Sequence, residues 1–290
     1  MKKKLVIQAL VAILAITWVV IDASEQDRKD RSQKVLCFEC KLDTAEKIEI
    51  QFPNGQYIKF AKVSGLWRMQ EPFSDKASYA ELTLLENLLS RDSVLTWLES
   101  DPTVSFSKYT LKMNWDDLIE VTVATQQAVG GKNFVMLGDG RYAVVNSTWS
   151  TVIPIRPEEW ADDFVFGQEI MEIQSIDFRF GENTFLIEKR GEGWVDSHGV
   201  VAKTGQVNKY ISGLRDLKAK KTQRVEPDQD TFVFARIELS EGQVLQLKYK
   251  QVDEEVFLFR DDRPIVFIVD REQFDKMKWS REDFVKSLKE

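Results

Sequence analysis

The sequence predicts an α+β protein: an N-terminal transmembrane helix followed by two similar repeats, each a β-hairpin, a helix, an antiparallel β-meander and a short helix. Three observations predict it. An apolar run follows Lys2, Lys3 and Lys4. Alternating strands with glycine turns occur over 45–69 and again over 172–196, each leading to a tryptophan after a glycine. The phrase "WADDFVF" at 160–166 returns as "WSREDFVK" at 279–286. The segments that follow are 1–22, cytoplasmic lysines and anchor; 23–34, a polar tether; 35–166, the first repeat; and 167–290, the second, with the division at Gly167. A single mixed sheet, with strands of both halves pairing, is the alternative.

The apolar run from Leu5 to Ile21 spans about 26 Å as a helix, near the lower limit for a bilayer. Trp18 stands near its far end, where indoles favour the interface, and the preceding lysines orient the N-terminus to the cytoplasm. The competing reading is a cleaved signal peptide, but Ile21 is a poor residue two before a cleavage site at Ala23. No cysteine directly follows the span to carry a lipid. The stretch from Ser24 to Lys34 is almost entirely polar, as suits a solvated tether.

In the first repeat Ile48 and Ile50 alternate with Glu49, Asn54-Gly55 marks a tight hairpin, and Tyr57, Ile58 and Phe60 return towards Gly65 and Trp67. In the second, Ile176, Phe178 and Phe180 alternate with Asp177 and Arg179. Phe185 and Ile187 return, and Trp194 follows Gly193. Helices follow over 77–91, with Leu82, Leu85 and Leu89 at helical spacing and Ser78 and Glu81 as a capping box, and over 205–218, with Val207, Tyr210, Ile211 and Leu214 on one face and Thr204 as cap. Strands resume over 118–125, 132–137, 141–146 and 151–155 in the first repeat. In the second they fall over 232–239, 243–250, 255–260 and 264–269. Closing helices are expected over 157–164 and 271–288.

The chain carries a net charge of −7. Its first 34 residues have a surplus of Lys and Arg, so the remainder is more acidic still. Nucleic acid is a poor partner for such a body, because phosphate binding relies on basic side chains.

Cys37 and Cys40, the only two cysteines, are the sharpest candidates for chemistry. Their spacing matches redox motifs and half of a zinc site, yet a structural zinc needs four ligands and the single histidine, His198, lies in the other repeat. "VLCFECKLD" reads as extended, which separates residues three apart by about 10 Å, whereas a disulfide needs Cα atoms within about 7 Å. Buried thiols are therefore the first reading, a local disulfide at a turn the second and a redox role the third. His198 reads as a turn residue, and the acidic pairs Asp116-Asp117, Glu158-Glu159, Asp162-Asp163 and Asp261-Asp262 do not follow the alternating pattern of a calcium loop. Lys218, Lys220, Lys221 and Arg224 close the second long helix, where positive charge suits the dipole; a docking patch is the alternative. No metal site, cofactor or catalytic constellation is implied.

The leading lysines and single span, "KIEIQFPNGQYIKFAKVSGLWRMQEP", the amphipathic helix and "KNFVMLGDGRYAVV" resemble the bacterial envelope family known as domain of unknown function 4340. The resemblance covers nearly everything after residue 40, although family members commonly carry a longer glycine-rich run than Gly130-Gly131 before the corresponding strand. It implies tandem copies behind one span and a place near ABC-2 type exporters, and it brings no catalytic residues. The expected role is a periplasmic accessory or scaffold protein of the bacterial inner membrane, single-pass, binding other envelope proteins, with an ABC transporter complex as candidate partner. The alternative is a periplasmic binding module for a small ligand or envelope polymer in the cleft between repeats.

Overall fold

The computed structural model describes residues 34–37, 40–91, 94–114, 118–167, 173–240 and 242–285. The lysines and apolar run of the N-terminus, with Lys2, Lys3, Lys4 and Trp18, lie outside these residues. Among the described residues no helix is long and apolar enough to cross a membrane. The fold is two antiparallel sheets with few helices, in two compact units: residues up to Pro72 with Tyr79–Ile155, and Phe73–Ser78 with Arg156 onwards.

The first unit opens with β1 (Lys47–Gln51), β2 (Tyr57–Val63) and β3 (Leu66–Glu71). After the two-residue strand β4 (Asp75–Lys76), which lies in the segment that belongs to the second unit, come α1 (Tyr79–Ser90), β5 (Val94–Leu98), β6 (Tyr109–Asn114), β7 (Leu118–Gln127), β8 (Asn133–Leu137), β9 (Tyr142–Val145) and α2 (Thr148–Thr151). The unit's own strands run in the order β3-β2-β1-β6-β7-β8-β9-β5. Ile48 and Ile50 turn one way from β1 and Glu49 the other, which buries the two isoleucines. Leu82, Leu85 and Leu89 of α1 are fully buried, worth about 1.5–3 kcal/mol each against exposure. The core of this unit is mainly aliphatic, with Met69, Leu111, Met113, Val121 and Val123 buried.

The second unit contains β10 (Ile173–Phe180), β11 (Asn183–Arg190), β12 (Gly193–Asp196), α3 (Thr204–Arg215), β13 (Lys221–Gln223), β14 (Phe232–Leu239), β15 (Val244–Val252), β16 (Glu255–Arg260), β17 (Val266–Asp270), α4 (Arg271–Asp275) and α5 (Arg281–Phe284). Its sheet runs β12-β11-β10-β14-β15-β16-β17-β13. The two orders correspond strand for strand, with α1 and α3 at the same place in the chain between the third strand and the edge strand. Trp67 on β3 and Trp194 on β12 are both buried at corresponding positions. The second core is aromatic: Phe178 meets Phe185, Tyr210 and Phe284, while Phe274 meets Phe180, Phe234 and Tyr249.

Several expectations change. The division falls between Ile155 and Arg156, upstream of Gly167. Both repeated phrases therefore belong to the second unit, one near each end of its chain. The 156–165 stretch is held there by backbone bonds: Val165 N–H donates to Leu217 O (3.0 Å), Ala219 N–H to Asp163 O (2.8 Å) and Ser78 N–H to Trp160 O (2.7 Å). In place of a helix over 157–164 there is one 3₁₀ turn, Pro157–Trp160. In place of a strand over 151–155 there is α2 and a turn, because the Asn146 side chain accepts from Thr148 N–H (3.2 Å) and starts a helical turn that buries Trp149. The helix expected over 271–288 stops after Asp275 and restarts at α5 through a capping box of Ser280 and Asp283. Thr204 is the first residue of α3 rather than its cap, which is Lys203.

Candidate functional site

The cysteines do not sit in an extended strand. The Cα atoms of Cys37 and Cys40 are 5.5 Å apart and the two sulfurs are bonded. The reading as free buried thiols is thus corrected to a local disulfide, with Cys40 buried and Cys37 half-buried. The backbone beside it is fixed as well: the N–H groups of Leu36 and Cys37 donate to Leu89 O at the end of α1 (3.1 and 3.0 Å).

The basic run does not close a helix. α3 ends at Arg215, and the chain then crosses to β17, where Lys220 N–H donates to Ile268 O (2.9 Å). The backbone bonds available across the sheet edge outcompete continuation of the helix. Lys218 pairs with Asp163 (3.0 Å) and Lys220 with Asp270 (3.1 Å), while Lys221 is exposed on β13. These three do not converge. Arg224 is separated from them, its guanidinium 5.1 Å from the ring centre of Phe73. His198 is exposed, 3.8 Å from Asp196. Among the described residues no group of His, Cys, Asp and Glu is arranged to hold a metal. Glu158 lies in the 3₁₀ turn and Asp162 and Asp261 in loop and turn segments, and Asp116-Asp117 lie outside the described residues.

What sequence reasoning missed is a cluster of buried polar residues at the rim of the second sheet. Arg260 is fully buried, donating from Nη1 to Val165 O (2.6 Å) and from Nε to Asp262 Oδ1 (2.8 Å). Arg263 donates to Asp162 O (3.0 Å), and its Nε forms an ion pair with Asp75 Oδ1. That pair is not a directed hydrogen bond, and Asp75 Oδ2 has no hydrogen-bond partner among the described residues. Burial pushes the Asp75 carboxyl above its usual range; the charges of Arg263 and Arg260 and the Lys76 N–H oppose this without offsetting it. At the other edge Asp196, also buried, accepts from the N–H groups of His198 (2.9 Å) and Val200 (2.7 Å) and from Arg281 Nε (2.7 Å). Burial works against its charged form, but these donors outweigh it and hold its carboxyl below the usual range.

Beside Arg260 and Arg263 lies an open pocket of about 500 Å³, wholly within the second unit. It forms where β13 stops pairing: Gln223 is opposite Val266, but the chain from Arg224 to Pro227 leaves β17 instead of continuing beside Ile265 and Pro264. Asp228 then fixes the departing chain to Lys250 (2.5 Å) on β15. Val225, Pro227, Phe259 and Ile265 give the pocket apolar walls. Arg224 and Lys248 bring the unmatched cations. Lys250 has Asp228 as its carboxylate; Lys248, two residues earlier on the same face of β15, makes no ion pair among the described residues, and neither does Arg224. Of the two carboxylates at the rim, Asp261 is committed through Oδ1 to Gln246 N–H (3.0 Å), and Glu226 is exposed. The arrangement can hold one anionic group above an apolar surface. It contains no nucleophile–base pair.

No protein-family model, curated protein or solved structure matches this chain.

Proposed function

We propose that this protein is a single-pass accessory protein of the bacterial inner membrane, with its N-terminus in the cytoplasm and its body in the periplasm, and that it works by binding other envelope proteins rather than by catalysis. The observation that carries the reading is the Cys37–Cys40 disulfide, placed just after the polar tether. Disulfides persist in oxidising compartments such as the periplasm. The lysine-led apolar run supplies the route to that compartment and the means of staying at its membrane. The corresponding strand orders of the two units favour one design used twice, as does the resemblance to tandem envelope proteins. The mechanism is tethering: an anchor confines two binding units to the membrane surface and raises their effective concentration near a membrane-embedded partner, for which an ABC-type exporter component is the leading candidate.

Crosslinking in the native cell, followed by isolation of the full chain from solubilised membranes, tests this. Recovery of an envelope protein in near-stoichiometric amount is the expected result. Recovery of the chain alone, at crosslinker levels that trap other membrane complexes, would remove the reading.

A further inference from the structure

We propose that the second unit carries a small-ligand site in the pocket between Arg224–Pro227 and the β16–β17 turn, and that its ligand bears one anionic group, a carboxylate or a phosphate, on an apolar body. This goes beyond the tethering role and does not depend on it.

The pocket's volume of about 500 Å³ lies within the usual range for small-molecule sites. Its floor is rigid. Arg260 and Arg263 line it, yet their hydrogen bonds go to Val165 O, Asp162 O and Asp262, and Asp75 neutralises Arg263, so they support the site rather than recognise the ligand. Recognition falls to Arg224 and Lys248, the lining cations without a carboxylate partner among the described residues. They reach the pocket from different elements, Arg224 from the departing chain after β13 and Lys248 from the middle of β15. Phe259 lies directly across the sheet from Lys248, so the ammonium stands beside an apolar surface. Val225, half-exposed, and Pro264 extend that surface towards solvent. An apolar body resting there is removed from water while its anionic end gains charge-assisted hydrogen bonds. Glu226 and Asp261 at the rim repel a second anionic group, which restricts the class to ligands with one.

The first unit offers an internal contrast. There β5 is longer than β13, and the corresponding corner is occupied by the protein's own side chains: the Arg141 guanidinium lies 4.8 Å from the ring centre of Trp97, and Phe106 packs on Tyr142 at 5.5 Å. The second unit has no aromatic residue among Arg224–Pro227 to fill the same corner.

The test uses the detergent-solubilised full chain and four soluble probes: 4-phenylbutanoate, 3-phenylpropyl phosphate, the neutral 4-phenylbutanamide and the dianionic phenylsuccinate. Saturation-transfer NMR and calorimetry are expected to show the carboxylate or the phosphate binding more tightly than the amide and than phenylsuccinate, and which of the two wins identifies the head group. The double variant Arg224→Gln/Lys248→Gln is expected to weaken that binding at least about tenfold with the melting transition unchanged. Val225→Trp, which fills the pocket from an exposed position, is expected to abolish it and guards against a folding defect in the double variant. Binding of the amide as tight as that of both anions, no binding of either anion, or anion binding untouched by Val225→Trp would each overturn the proposal.

Discussion

The two units build the same strand order from different interiors. Cross-strand rows make the difference concrete. In the first unit Ile50, Leu111, Val121 and Leu137 stand side by side; in the second the corresponding row is Phe178, Ala235, Leu247 and Arg260. Met69 beside Phe60 and Ile48 corresponds to Asp196 beside Ile187 and Ile176. Trp97 beside Ala143 corresponds to Thr222 beside Phe267. At each of these three places the second unit puts a polar residue where the first has an apolar one, and each polar residue holds chain outside its own sheet. Arg260 holds Val165 O, Asp196 holds Arg281, and Thr222 donates to Glu158 O (2.6 Å). The first unit secures its entering chain by the backbone bonds of Leu36 and Cys37 to Leu89 O, beside the local Cys37–Cys40 disulfide. The lesson is that a sheet order tolerates exchange of apolar for polar residues at its rim when the flanking segments supply partners.

The contrast can be broken most severely at Asp75. Arg263→Met leaves a carboxylate buried with its counter-charge gone and is expected to cost about 3–5 kcal/mol in denaturant unfolding, with the loss confined to the second unit by hydrogen exchange. The double change Asp75→Leu/Arg263→Met is expected to recover most of it; failure to do so would show that the hydrogen bond of Arg263 to Asp162 O matters more than the ion pair.

Asp196→Ala is expected to cost about 1.5–3 kcal/mol, the loss of hydrogen bonds to a charged acceptor. Because the Asp196 carboxyl is held below its usual range, its contribution is present above the unfolded value and is lost as pH falls through the lowered one. Stability measured from about pH 5 down to about pH 2 should therefore fall less steeply in the variant than in the parent. Asp75, raised by burial, has the opposite sign: its contribution falls as pH rises from the ordinary Asp value.

Replacing both cysteines by serine opens a short loop and is expected to cost about 2 kcal/mol, with faster amide exchange at Leu36 and Cys37 and none of the change in the second unit. The smallest effects are expected at a feature both units share on non-corresponding elements, β6 and α3. Each has one buried tyrosine bonded to the carbonyl of a later segment, Tyr109 to Trp149 O (2.6 Å) and Tyr210 to Met277 O (3.0 Å). Tyr→Phe at either is expected to cost about 1 kcal/mol by thermal unfolding, and clearly unequal costs would argue against equivalent roles.

Strands with clean alternation were legible from sequence: the readings 232–239 and 255–260 coincide with β14 and β16. The hairpins at Asn54-Gly55 and around Gly181 were legible for the same reason, since glycine at positive φ there leaves few alternatives. β5, β6 and β13 were missed: β13 is short, and "VLTWL" carries no strict period. The division at Ile155 was invisible because it depends on long-range bonds from Arg260, Arg263 and Thr222, residues that a local pattern reads as turn and edge. The pocket was invisible for the same reason. In the sequence Arg224 reads as the close of a helix, and Lys248 as an ordinary outward residue of β15 until the register sets it beside Phe259. An extended reading of 37–40 separates the sulfurs, and no glycine or proline in that stretch of sequence signals the 5.5 Å approach of the two Cα atoms.

The tethered, periplasmic account is tested most directly by protease treatment of intact spheroplasts carrying the full chain with an N-terminal epitope. The account predicts that the body is digested from outside while a small membrane-embedded fragment keeps the epitope. Full protection of the body in intact spheroplasts, with digestion only after lysis, would contradict it.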